Sequence, residues 1–167
     1  MVSFENLKEY STEFPSEWTF LWSREEADKI SSEHKDQIFF LNEEATSFIN
    51  RYFESSKIRK NSDEPVSKDY FKNIETYKIN INLAELKKWL FDGKIAFDNF
   101  VFIDSDDGRS IMLTWRMVIK YCEGIFFSED IYIFDTSLNG TLFYYHESEL
   151  TFQKKFTQLR RTNTIRC

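Results

Sequence analysis

Asp135, Tyr144 and His146 are the residues of this chain whose types and spacing come nearest to chemistry: a carboxylate, a phenol and one of only two histidines, set around a turn signal at Asn139-Gly140. If that dipeptide folds the segment back on itself, Phe134 faces Tyr145, Thr136 faces Phe143 and Ile133 faces His146. Tyr144 then lies opposite Asp135, with His146 diagonal to it. A carboxylate that orients an imidazole is half of a general-base pair, and His146 could activate a water or a substrate hydroxyl. Local hydrogen bonding at a hairpin is the commoner meaning of such a trio. Ser137 is near in sequence, but no nucleophile elbow or oxyanion turn surrounds it. A small hydrolase or ligand-binding enzyme centred on Asp135, Tyr144 and His146 is therefore the secondary reading.

Other chemistries find little material. Metal binding needs several converging ligands, and beyond His146 there is only His34, which falls in a polar segment and is expected at the surface. The run Asp104-Ser105-Asp106-Asp107-Gly108 has acids two apart and a glycine, yet lacks the remaining spacing and terminal glutamate of a calcium loop; a hairpin turn explains it better. Cys122 and Cys167 form no CxxC pair, so a reducing cytosol and no disulfide are expected. With four glycines there is no phosphate-cradling loop, and no cofactor is expected.

Charge points instead to a partner. Residues 154–167 carry five basic side chains and no acid, leaving 17 basic and 28 acidic residues in 1–153, a net charge of −11. An acidic body repels nucleic acid and favours a cationic protein through long-range steering. The basic tail, with Phe156 and Leu159 among its lysines and arginines, is expected to dock on the protein's own acidic surface. No nucleic-acid or membrane partner is expected: the N-terminus reads as no signal peptide and no apolar run is long enough to span a bilayer.

These groups must be positioned by local elements. Asn42 followed by Glu43-Glu44 and by Phe48, Ile49, Tyr52 and Phe53 predicts a capped amphipathic helix. Asn82, Glu85 and the stripe Leu83, Leu86, Trp89, Leu90 predict a second, with Gly93 as a left-handed stop and its apolar face on the sheet that follows. Ser23-Arg24-Glu25-Glu26 opens a polar helix reaching about Lys35. Residues 36–41 read as a buried strand or as the lead-in to Asn42, residues 54–69 as an exposed loop, and Tyr77–Ile81 as a short strand. Leu113, Trp115, Met117, Ile119 and Tyr121 alternate with Thr114, Arg116, Val118 and Lys120, which predicts a half-buried strand. It pairs across Asp107-Gly108 with Phe102 facing Leu113 and Phe100 facing Trp115. On the second hairpin, one face carries Tyr132, Phe134, Leu138, Phe143 and Tyr145, and the other Ile131, Ile133, Leu142 and Tyr144. Such a sheet is covered on both faces or exposes rings to a partner.

The segment Ile131–Glu147 resembles a hairpin signature of small, uncharacterised bacterial proteins of the toxin-immunity kind. Gly140 stands where that signature has Trp, and no catalytic assignment travels with it. The resemblance implies a small bacterial α+β protein that binds another protein. The expected fold is a single α+β domain over 1–167, with helices mainly in the N-terminal half packed on a mostly antiparallel C-terminal sheet. The expected function is neutralisation of a basic toxin domain. Exposed rings of Tyr132, Tyr144 and Tyr145 would anchor the partner near Asp135, His146, Glu147 and Glu149.

Overall fold

Five short runs, Ile38-Phe39-Phe40-Leu41, Phe100–Ile103, Ile111–Leu113, Ile131–Phe134 and Leu142–Tyr144, are apolar on every residue rather than on alternate ones. Strands of that composition must be covered on both sides. The computed structural model describes residues 1–13, 30–59, 70–71, 73–78, 82–93, 95–105, 108–126, 130–146 and 149–154. It is an α+β fold built on one antiparallel sheet of eight strands: β1 (Ser11–Thr12), β2 (Ile38–Leu41), β3 (Asn73–Lys78), β4 (Phe100–Ser105), β5 (Ser110–Thr114), β6 (Ile131–Phe134), β7 (Gly140–Tyr145) and β8 (Glu149–Lys154). Their order across the sheet is β1-β2-β5-β4-β6-β7-β8-β3.

Helices cover both faces. On one side α2 (Glu43–Ser55) lays Ala45, Ile49 and Phe53 against Phe102, Met112, Tyr132, Phe134 and Phe143. On the other, α3 (Leu83–Asp92) and α4 (Trp115–Ile125) set Leu86, Leu90, Trp115, Val118 and Cys122 against Ile103, Leu113, Ile133, Leu142 and Phe152. A one-turn helix, α1 (Ser32–Lys35), precedes β2. Helices thus occur in both halves of the chain, and three of the strands lie before α3.

The caps form as their residue types require. Asn42 Oδ1 accepts from the Ala45 amide at 3.0 Å, and Asn82 Oδ1 accepts from Ala84 and Glu85 at 3.1 and 3.3 Å. Gly93 ends α3 with φ −59°, an ordinary right-handed value, so it is not the expected left-handed stop. Its reason is space. A Cβ there would stand 3.0 Å from the Leu90 carbonyl oxygen and 3.4 Å from the Phe152 ring.

Three expectations are corrected. The alternation Leu113–Tyr121 is not a strand: the chain turns at Trp115 into α4, whose buried residues Trp115, Val118, Cys122 and Ile125 follow helical spacing while Arg116, Lys120 and Glu123 face out. Without a side-chain cap at Thr114, the first amides of α4 donate to the preceding loop, Trp115 N to Asn99 O at 2.9 Å and Arg116 N to Phe97 O at 3.0 Å. The first hairpin is also one residue out of the expected register. Val101 faces Leu113, Phe102 faces Met112 and Asp104 faces Ser110, and Gly108 takes the left-handed φ of 76° beyond them.

The second hairpin shifts further. Ile131 faces Tyr144, Tyr132 faces Phe143 and Phe134 faces Thr141, so the turn is a longer loop over 135–139. Its positive φ belongs to Leu138, at 51°, while Gly140 is already the first residue of β7. Because the displacement is an even number of residues, every side chain keeps the face assigned to it.

The loop after α2 is described only to Arg59, and β3 ends at Lys78. The Ser23–Glu26 helix start and the basic tail beyond Lys154 lie outside the described residues. Within them, no helix is long and apolar enough to cross a membrane.

Candidate functional site

The β6–β7 hairpin has chemistry at both ends, and the four residues of β6 hold the ends apart. Asp130 precedes that strand and Asp135 follows it, five residues on, so their Cα atoms are separated by about 16 Å of extended chain. His146 belongs to the Asp130 end. Its Nδ1 lies 2.8 Å from Asp130 Oδ1, and its backbone N–H donates to the same oxygen at 3.0 Å. The expected carboxylate–imidazole pair therefore exists with a different carboxylate. Sequence reading passed over Asp130 because it followed the wrong register. In the observed register, the pair next out from Ile131 and Tyr144, on the side away from the turn, is 130 and 145, which leaves His146 one residue beyond Asp130's position and within its reach.

Asp135 does something else. Its Oδ1 accepts from the Ser137 amide at 2.9 Å, the Ser137 hydroxyl at 2.5 Å and the Leu138 amide at 3.1 Å, an Asx-type arrangement that closes the loop. Its Oδ2 accepts from Asn99 Nδ2 at 3.2 Å, which ties this loop to the one before β4. On the opposite side of the sheet, the Tyr52 hydroxyl donates to Thr136 O at 2.5 Å. Burial first, then the neighbouring Tyr70 and Asp135, hold the Tyr52 phenol above its ordinary range.

Tyr144 and Tyr132 are not available to a partner. Tyr144 is 1% exposed, packed at 5.4 Å from Phe126 under the α3–α4 layer, and Tyr132 is 4% exposed beneath α2 with the Phe53 ring at 5.3 Å. Both lie in β6 or β7, whose two faces are each covered, so the expectation that they anchor a partner is overturned. The trio Asp135, Tyr144 and His146 is likewise not assembled: one member closes a loop, one is core, and one pairs with Asp130. Tyr145 is half-buried, its ring 4.3 Å from that of His146; Glu149 is half-buried in β8, and Glu147 lies outside the described residues. His34 is not isolated, its Nδ1 standing 3.0 Å from the Tyr121 hydroxyl. Asp104 is buried and meets the Arg59 guanidinium at 3.7 Å, which suits a structural acid better than a cation ligand. No group of three or more His, Cys, Asp or Glu side chains gathers at metal-holding distance among the described residues.

At the Asp135 end the surface is concave. A cavity of about 350 Å³ opens between the 93–99 loop, the start of α4 and the β6–β7 turn. Val101, Ile133, Leu142 and Phe152 wall it, and Asn99, Asp135 and Asn139 supply its polar groups. Trp115 also lines it. That side chain is 1% exposed, and its indole N–H meets no acceptor among the described residues.

Beside the cavity, Phe91 at the end of α3 and Phe97 in the loop after it stand 56% and 39% exposed with ring centroids 5.4 Å apart. Asp92 and Asp98 are exposed next to them, and the Arg116 guanidinium lies 5.9 Å from the Phe97 ring. Sequence analysis missed this pair, although a signal existed. Phe91 follows Leu90 by one residue, about 100° away from the buried stripe of α3. Neither a protein-family model nor a curated protein matches this chain.

Proposed function

We propose that this chain is a small bacterial binding protein that captures a basic protein partner, in the manner of the toxin-immunity proteins its Ile131–Glu147 segment resembles. The observation that carries the reading is the exposed Phe91–Phe97 pair. Among the described residues the only other large hydrophobic side chain so exposed is Met1. Aromatic anchors beside charged residues are what protein interfaces use to concentrate binding energy. Asp92 and Asp98 flank the rings, and the −11 charge of residues 1–153 favours a cationic partner and speeds its approach. The contact surface in this reading is the α3–β4 connection, not the covered strands that carry Tyr132 and Tyr144. The proposed setting is the cytosol, where the buried thiol of Cys122 stays reduced.

The test is titration calorimetry of the full chain against purified proteins encoded beside its gene. Binding to a basic one, weakened by salt, is expected. The double variant Phe91→Ser, Phe97→Ser should bind at least about tenfold more weakly while unfolding at the same temperature, since both rings are exposed. Unchanged affinity in that variant, or no binding by any neighbour-encoded protein, would sink the proposal.

A further inference from the structure

We propose that the cavity between the 93–99 loop and the β6–β7 turn is the docking site of this chain's own basic segment, residues 155–167, with Phe156 as its anchor. The proposal does not depend on the Phe91–Phe97 contact with a partner.

The end of β8 decides where that segment begins. Lys154, the last residue described, pairs with Gly140, and Gly140 and Phe152 both line the cavity. The chain therefore leaves the described fold from the cavity's own wall. Leu150 and Phe152 pack on the α3–α4 side of the sheet, which is the side of the cavity residues Val101, Ile133 and Leu142. Alternate residues of an extended chain share a face, so a continuation of β8 brings position 156 to that side, about 7 Å beyond Lys154. Gly140, opposite Lys154, has no side chain to stand in the way.

The chemistry of segment and site is complementary. The walls are apolar, and about 350 Å³ of space accepts an aromatic ring. Asp135, half-buried, lies on the cavity's lining, and Asp92 and Asp98 are exposed on the neighbouring chain. Residues 155–167 carry Lys155, Arg160, Arg161 and Arg166 and no acid. Arg160 and Arg161 follow Lys154 by six and seven residues, up to about 20–23 Å of extended chain, so they can meet these acids once Phe156 is seated.

Other occupants are disfavoured by arithmetic. A segment tethered two residues from its anchor is present at an effective concentration of millimolar order, which a separate ligand must exceed. The same segment of a second copy would add the cost of association and the repulsion between two chains of net charge −6.

The experiment is nuclear magnetic resonance on the full chain with labelled methyl groups and labelled phenylalanine rings. Cross-relaxation is expected between the Phe156 ring, assigned by the loss of its signals in Phe156→Ser, and the methyls of Val101, Ile133 and Leu142. Ile165→Ser, a change at the far end of the segment, should leave these cross-peaks in place. Arg160→Glu with Arg161→Glu should raise the undocked fraction several-fold, and so should added salt. In a mixture of chains labelled only in the methyls with chains labelled only in the rings, no such cross-peak should appear. Absence of the contacts in the unmodified chain, their persistence at full intensity after charge reversal, their loss in Ile165→Ser, or their appearance between differently labelled chains would each overturn the proposal.

Discussion

Replacing Asp135 separates its loop-closing role from its charge. Asp135→Ala removes the oxygen that accepts from Ser137 N, Ser137 Oγ and Leu138 N, and the one that accepts from Asn99 Nδ2. Water can replace part of this, because the Ser137 groups are exposed and Leu138 N also donates to the Asp135 backbone carbonyl at 3.2 Å. The closing oxygen is then comparable to a helix N-cap, about 1 kcal/mol, and the Asn99 bond contributes about another 1 kcal/mol. Leu138 must also hold φ 51° without that support. A loss of about 2 kcal/mol is expected, which for a chain of this size lowers the unfolding midpoint by about 4–8 °C. Asp135→Asn retains an acceptor at the closing position and should lose less than about 1 kcal/mol. Urea denaturation followed by circular dichroism measures both, with the m-value unchanged if the folded and unfolded ensembles are otherwise alike. If Asp135→Ala costs under about 0.5 kcal/mol, or if the Asn variant is as unstable as the Ala variant, the carboxylate is not what closes this loop.

Two further outcomes follow from the core. Phe53 is 1% exposed, stacked on Phe134 at 4.2 Å and 9°, so Phe53→Ala should cost about 3–5 kcal/mol in the same denaturation assay; a loss below about 1.5 kcal/mol would mean that α2 is not packed there. Burial pushes the Cys122 thiol up to about 11 from an ordinary 9. The unfolded thiol releases its proton first, so this residue's stabilisation is complete below pH 9 and declines by about 2–3 kcal/mol as pH rises to 11. In a Cys167→Ser background, Cys122→Ala should flatten the stability profile between pH 8.5 and 10, approximately the window where this thiol dominates; an unchanged slope would assign the alkaline loss elsewhere.

Much of this fold was legible because its signals are local. Asn42 and Asn82 announce their helices by a side chain that can reach an amide two or three residues on, and nothing distant competes with that geometry. Face assignment on the second hairpin survived a wrong turn for a related reason: the pleat has a period of two, so an error of four residues returns every ring to its own side. What failed was arbitration between periods. Leu113 through Tyr121 fits a period of two, but the later residues Val118, Cys122 and Ile125 fit 3.6, and Arg116, Lys120 and Glu123 form the matching polar stripe. The helical half of the pattern declares itself only beyond Tyr121, where Cys122 and Ile125 are buried and Glu123 is exposed.

The site was less legible because it depends on turn geometry, and turn geometry was read from one dipeptide. Asn-Gly is a strong hairpin signal, yet Asp135-Thr136-Ser137 offers the backbone a competing closure that satisfies two amides through one carboxylate oxygen. That closure wins here, and Leu138 takes the left-handed backbone of the loop while Gly140 is already in β7. The consequence runs along both strands. Moving the turn by two residues moves the pairing by four, which carries His146 away from Asp135 and within reach of Asp130. It also frees Asp135 to reach Asn99 and rim a cavity lined by Trp115. A single carboxylate's preference for local amides thus dissolves the apparent general-base trio and leaves Asp135 on the rim of a recess. Trp115 reaches that recess only because the chain enters a helix where alternation predicted more strand, so the two misreadings, of the turn and of the period, concealed the same place.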